Sequence, residues 1–368
     1  MRQTPFLTIC LSFALSLLAG CTDSGSEAPP ATPPVTGPSC SVAQLEGAMD
    51  STLAQTSSDV DFSFSVERQD GRRYTYNRGN STLLTSYESA STSKMISAVI
   101  ILRLVEKGYL SLADKPQRYI TTWPITNTDP LFNMTLEQLL SFTSGLTDEP
   151  PCQNFGGSSF ETCVNSIATT NAGNGITPGQ QFYYSSTHLQ VAGLMAIKAR
   201  GVAAWQDVFT EFKTQTGLFP TSAYDLPSAT NPRLAGGMHW TGEEYMAFLK
   251  ALKNGSLLNS TSMGQLLADH TASAVMTYSP IALAPPNGLG EDWHYGFGLW
   301  HECQSATFNC TAGARVSSPG AYGAYPFWDR SKNYFGIVAR QGALGTFPNG
   351  IAIERSVRPD VEQWLACP

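Results

Sequence analysis

The chain is poor in charge. Asp, Glu, Lys and Arg supply only 14% of its 368 residues, against about 25% in an ordinary globular protein. Cations are the scarcer sign: 22 Lys and Arg face 29 Asp and Glu, a formal net charge of −7. A surface short of positive charge cannot neutralise a run of phosphates, so nucleic acid is set aside as a partner. Histidine is rarer still, and His188, His239, His270, His294 and His301 stand at no metal-ligating spacing. With no Cys-x-x-Cys pair either, no metal site is expected. Also absent are the Gly-x-Ser-x-Gly elbow, the His-Glu-x-x-His helix, the Walker loop and the Gly-x-Gly-x-x-Gly turn. Their absence removes the common signatures of α/β-hydrolases, zinc peptidases, nucleotide hydrolases and dinucleotide enzymes. No cofactor is expected.

Apolar residues are plentiful, at 42%, enough for a sizeable core, which excludes global disorder. Yet no apolar run reaches the ~18–20 residues that a bilayer-spanning helix needs. The longest candidate, Phe6–Leu18, follows Arg2 and leads into Leu18-Ala19-Gly20-Cys21. A positive start, a short apolar stretch and a small-residue pair form an export signal over residues 1–20. The Cys directly after the small pair resembles the lipobox of bacterial lipoproteins. The competing reading is a plain cleavage site with an incidental cysteine. On the first reading Cys21 carries the lipid, and the protein is tethered to the bacterial cell envelope, on the periplasmic or outer face. Residues 21–39, rich in Pro, Thr, Ser and Gly, read as an extended spacer, leaving one globular domain over 40–368.

Six cysteines fall in that domain. An even count in an exported chain suggests disulfides. Closeness in sequence favours Cys152 with Cys163 and Cys303 with Cys310, which leaves Cys40 with Cys367.

Periodicity sketches the fold. Val42–Leu53 has helical spacing of apolar residues, and Asp61–Glu67 alternates as a half-buried strand. Asp70-Gly71 signals a hairpin, with Tyr74 and Tyr76 on the return strand. Lys94–Lys107 is a strongly apolar helix stopped by Gly108. The middle is helical with long loops, turn residues crowd Pro280–Gly290, and strands return at Tyr295–Trp300, Tyr322–Trp328 and Tyr334–Arg340. A last helix covers Arg355–Ala366. Strands at both ends around a helical middle predict an α+β fold: one sheet built from both termini, flanked by helices, with a helical lobe inserted.

The chemistry centres on Ser91-Thr92-Ser93-Lys94. A serine hydroxyl needs a base to become a nucleophile. Three residues apart on a helix, Ser91 and Lys94 share a face, and the apolar run after them desolvates Lys94, favouring the neutral amine. Taken alone, this motif reads equally as an ordinary helix start. A second element, Pro178-Gly179-Gln180-Gln181-Phe182-Tyr183-Tyr184-Ser185-Ser186, offers Tyr184 as a proton relay.

These elements, in this order, resemble the serine β-lactamase-like hydrolases, a group that includes class C β-lactamases, D-amino-acid peptidases and related esterases. Thr135–Leu140 followed by Thr143-Ser144-Gly145-Leu146, and Ala235-Gly236-Gly237-Met238 before a helix, extend the likeness across roughly Val42–Leu365. The resemblance implies the β-lactamase/transpeptidase-like fold and a Ser91 acyl-enzyme served by Lys94 and Tyr184. It also implies an oxyanion hole from the Ser91 and Ala321 N–H groups, and terminal helices packed together, which suits a Cys40–Cys367 bridge. Departures matter too. Ser186 stands where the family often has Asn. Ser318-Pro319-Gly320 stands for its Lys- or His-x-Gly strand motif, which places Ser186, Ser318, Gly320 and Ala321 around the substrate. Phe142 replaces a common His.

Without the Lys, an anionic substrate loses its fixed cation, unless Arg315 or Arg330 substitutes. An esterase is therefore the first expectation. A β-lactamase or D-amino-acid peptidase is the second, and a non-catalytic cell-wall or β-lactam-binding lipoprotein the third.

Overall fold

The computed structural model describes residues 40–368. The expected signal segment, the lipidation site Cys21 and the spacer 21–39 lie outside the described residues. From its N-terminal side the chain forms α1 (Val42–Gln55), β1 (Ser63–Glu67), β2 (Arg73–Asn77), β3 (Ser86–Glu88), α2 (Ser93–Glu106) and α3 (Leu136–Leu140). Next come α4 (Phe160–Asn171), β4 (Gln181–Tyr183), α5 (Thr187–Arg200), α6 (Trp205–Thr216), β5 (Ala223–Tyr224), β6 (Met238–Thr241) and α7 (Gly242–Lys253). The last part holds α8 (Ser260–Leu266), β7 (Val275–Tyr278), β8 (His294–Tyr295), β9 (Trp300–His301), β10 (Arg315–Ser317), β11 (Tyr325–Asp329), β12 (Tyr334–Ala339) and α9 (Phe347–Ala366).

The main sheet has seven strands in the order β2-β1-β12-β11-β10-β9-β8. Its second and third strands join the early and late parts of the chain, with Phe64 of β1 opposite Val338 of β12 in an antiparallel ladder. Every residue of β1, β11 and β12 is buried, so β1, read from its alternation as half-buried, is instead covered on both faces. Helices α1 and α9 pack against each other, and α7 and α9 against β12. The expected α+β architecture is the observed one.

The helical lobe is organised by α5, which packs on α2, α3, α4 and α6. Helices α2 and α5 are buried nearly all round, which requires neighbours on every side. Helix α2 ends where Gly108, at φ +75°, takes the left-handed conformation that Tyr109 N→Leu104 O closes.

Three expected elements differ in extent. The strand read over Tyr295–Trp300 is a tight hairpin, β8 and β9, because Gly298 takes φ +67° and lies against α2, where a Cβ would strike the Lys94 carbonyl. The next strand starts at Tyr325 rather than Tyr322, since 321–324 form a turn. Helix α9 starts eight residues early, at Phe347: Pro348 lies in its first turn, where no N–H is needed. Disulfides Cys152–Cys163 and Cys303–Cys310 form as read, each with Cα atoms 5.5 Å apart. Cys40 and Cys367 are also disulfide-bonded.

Candidate active site

Ser91 sits on a single 3-10 turn, Ala90–Thr92, that runs directly into α2. The preceding Ala90 has φ +40°, a left-handed conformation that costs an alanine energy and persists only where its surroundings over-determine it. They do so here. Ser89 exchanges hydrogen bonds with Met238: Ser89 N→Met238 O is 2.7 Å and Met238 N→Ser89 Oγ is 3.0 Å. Thr92 receives the Trp240 indole N–H on its hydroxyl (2.7 Å) and the Tyr245 hydroxyl on its carbonyl (2.8 Å).

One turn further, the α2 side chains hold the Leu234-Ala235 backbone. Ser93 and Ser97 hydroxyls donate to the Leu234 carbonyl (3.0 and 2.8 Å), and Lys94 Nζ donates to the Ala235 carbonyl (2.8 Å). The Ala235–Met238 motif is thus the cradle of the Ser91 turn.

Lys94 Nζ also lies 2.8 Å from Ser91 Oγ. The amine is 2% exposed, and its hydrogen-bond partners carry no formal charge. Burial drives its pKa down to about 7; Glu149 nearby pushes it up, and Arg233 pushes it down again. Tyr184 comes off β4 and stacks on Trp300, with ring centroids 5.1 Å apart, and Lys94 Nζ lies 4.7 Å from its ring centre. Burial raises its phenol well above the ordinary range, against hydrogen bonds from Ser91 and Trp300 that lower it. Ser91, Lys94 and Tyr184 therefore meet at one point. They line a cavity of about 570 Å³ together with Ser186, Pro319 and Ala321.

Other residues named from sequence fall elsewhere. Ser318 is buried and does not line the cavity; its hydroxyl donates to the Ser91 carbonyl (3.0 Å) and more weakly to Gly298 (3.4 Å). It braces the Ser91 turn and stays off the cavity wall. Gly320, which is also off the cavity lining, admits its loop against the Ser91 turn, where a Cβ would stand 2.7 Å from the Ser89 carbonyl. The Ala321 N–H, at the cavity, donates to no backbone carbonyl among the described residues.

Neither arginine replaces the missing cation. Arg315 is buried among Glu302, Asp329 and Glu354, and Arg330 donates to the Gly313 carbonyl (2.9 Å) while lying over Trp328. His188 is an interior residue of α5. Its ring stacks on Phe142 and bonds Ser144 Oγ (2.8 Å) and the Tyr183 carbonyl (2.9 Å), and burial lowers it to about 3, so it stays neutral. Among the described residues no cluster of His, Cys, Asp and Glu is arranged to hold a metal.

The sequence reading missed Trp300 under the tyrosine, and Asp148, Glu149 and Tyr278 on the cavity wall. No motif marks these four. Their one signal was the place of Asp148-Glu149 just after Thr143-Ser144-Gly145-Leu146.

A serine at the head of a buried helix, a lysine one turn on and a tyrosine beside them are the groups that acyl transfer through a serine requires. The family model for Beta-lactamase matches residues 67–349, and the chain belongs to that family. Penicillin-binding protein 4* of Bacillus subtilis (strain 168) is 24% identical over 241 residues, 58% of this chain and 51% of that protein. Protein flp of Staphylococcus aureus (strain COL) is 26% identical over 113 residues, 30% of this chain and 22% of its own length. The chain thus spans about half or less of these relatives. Among solved structures, the D-amino acid amidase from Ochrobactrum anthropi SV3 superposes with a TM-score of 0.63 at 17% identity, covering 88% of this chain and 100% of that one. EstCE1, a hydrolase with promiscuous acyltransferase activity, gives 0.65 at 16% identity, covering 86% and 98%. At these identities the superpositions establish the fold.

Proposed function

We propose that this serine hydrolase is a carboxylesterase whose preferred substrates carry no carboxylate beside the scissile bond. The observation that carries this reading is the charge of the cavity wall. Lys94 is the lone cation among the described lining residues, it is committed to Ser91, and the same lining bears Asp148 and Glu149. A substrate carboxylate would meet like charge there instead of the charge-assisted hydrogen bonds that fix it in β-lactam-processing relatives.

Ser91 Oγ attacks the ester carbonyl, and its proton passes to the neutral amine of Lys94. The oxyanion accepts hydrogen bonds from the Ser91 and Ala321 N–H groups. Tyr184, whose raised pKa keeps it protonated at neutral pH, donates to the departing alkoxide and regains its proton from the Lys94 ammonium. The alcohol leaves, and Ser91 is acylated. Water then attacks the acyl-enzyme, gives one proton to the amine, and the acid departs as the Ser91 hydroxyl re-forms. The chain acts at the cell envelope, tethered through Cys21.

The test compares kcat/KM for a neutral short-chain chromogenic ester with that for a chromogenic cephalosporin bearing its carboxylate. A lost charge-assisted bond is worth about 1.5–3 kcal/mol, roughly ten- to a hundredfold, so the ester is expected to win by at least that factor. Equal or faster cephalosporin turnover would replace the esterase reading with the β-lactamase one. Ser91→Ala must lose turnover on both while keeping its circular-dichroism spectrum.

A further inference from the structure

The cavity lining has features that acyl transfer does not use. Asp148 and Glu149 are exposed to the cavity, yet their loop is fixed from behind. The fully buried Asn171 accepts the Thr147 and Asp148 N–H groups on its Oδ1 (2.8 and 2.9 Å), and its Nδ2 donates to the Asp148 carbonyl (2.9 Å). The Glu149 carboxylate accepts the backbone N–H of Ser186, which points it along the cavity side. Among the described residues neither carboxylate has an ion-pair partner, and the nearby Arg233 donates to the Gln153 carbonyl instead (3.1 Å).

Aromatic faces accompany these carboxylates. The parallel β4–β7 pairing sets Tyr183 opposite Tyr278, with ring centroids 5.1 Å apart and planes tilted by 34°, and both rings line the cavity. Burial raises the Tyr183 phenol, and Tyr278, Asp148 and Glu149 raise it further, so the other three groups lie within electrostatic reach of Tyr183. Carboxylates on a fixed loop beside π-faces, in a cavity whose described lining holds no cation but Lys94, are the chemistry that receives an alkylammonium group.

We propose that Asp148, Glu149, Tyr183 and Tyr278 form a cation subsite, so that the preferred esters or amides carry a protonated amine or quaternary ammonium group. This rests on the esterase reading and narrows its substrate class. The cation sits on the acyl or on the leaving side, and two isosteric substrate pairs separate these. For the leaving side the pair is acetylthiocholine and 3,3-dimethylbutyl thioacetate. For the acyl side it is the 4-nitrophenyl esters of trimethylammonioacetate and of 3,3-dimethylbutanoate.

In at least one pair, the wild-type preference for the cation, as a kcat/KM ratio, is expected to fall at least about tenfold in Glu149→Gln. Smaller falls are expected in Asp148→Asn and Tyr278→Leu, and in wild type as salt is raised. The ratio cancels any effect of Glu149 on Lys94, which moves both members of a pair alike. Independently of turnover, tetramethylammonium chloride should slow labelling of Ser91 by a neutral fluorophosphonate in wild type but not in Glu149→Gln, with sodium chloride at equal ionic strength as control. Ratios that survive all three substitutions, with no protection by tetramethylammonium, overturn the subsite. Protection without turnover of any ester keeps the subsite and overturns the esterase reading.

Discussion

Two buried cations in this protein live under opposite rules. Arg315, on β10, is 8% exposed and makes ion pairs with Glu302 (3.0 Å), Asp329 (3.2 Å) and Glu354 (2.8 Å). Burial works against its charge, but the surrounding carboxylates and phenols outweigh it and raise its pKa well above the ordinary value. Lys94, on α2, is as deeply buried, but its hydrogen bonds go to a hydroxyl and a carbonyl. Glu149 acts on it only at a distance, so burial wins and the amine falls to about 7. The first site is charged whatever the pH and serves structure. The second can take and release a proton near neutrality, as a base must. What separates them is the contacting partner, not the depth.

The comparison breaks most visibly under parallel substitution. Lys94→Met should remove about 10²–10⁴-fold of ester turnover, the usual share of a general base, in a protein that stays folded. Arg315→Met should leave Glu302 and Asp329 buried without their cation and cost about 3–5 kcal/mol in urea unfolding, with the folded fraction turning over normally. Inactive folded Arg315→Met, or active Lys94→Met, would erase the distinction.

A smaller effect sharpens it. The ordinary value for Lys94 is 10.5 and the folded value is about 7. Between these the unfolded chain binds a proton that the folded chain does not, so this site makes stability rise with pH, by up to ~1.4 kcal/mol per unit. Below about 7 both states are protonated and the full cost of the buried charge is present. Lys94→Met should therefore be more stable than wild type at pH 6, with an advantage that shrinks as pH climbs from about 7 toward 10. An advantage independent of pH would mean that Lys94 keeps its proton in the fold.

The same contrast explains what sequence could and could not reveal. Strands β1 and β12 and helices α1 and α2 announce themselves through local periodicity, and Ser91 and Lys94 through a three-residue spacing that puts them on one helical face. Ser318 was misread because a serine facing substrate and one bracing the Ser91 carbonyl look identical in one dimension. Arg315 and Arg330 looked like free cations, since the carboxylates that engage Arg315 come from β9, β11, α9 and the segments beside them. The cavity wall was invisible for the same reason. Tyr183 and Tyr278 meet only through a parallel pairing of β4 and β7 that nothing local encodes.

The central claim is that Lys94 is the free base that activates Ser91. The pH dependence of kcat/KM for a neutral ester between pH 5 and 9 tests it most directly, since that profile reports ionisations of the free enzyme. The account predicts activity that rises with pH below about 7 and levels off above it, with that limb absent from the residual activity of Lys94→Met. A rate that stays flat down to pH 5, or one still climbing tenfold per pH unit at pH 9, would contradict it.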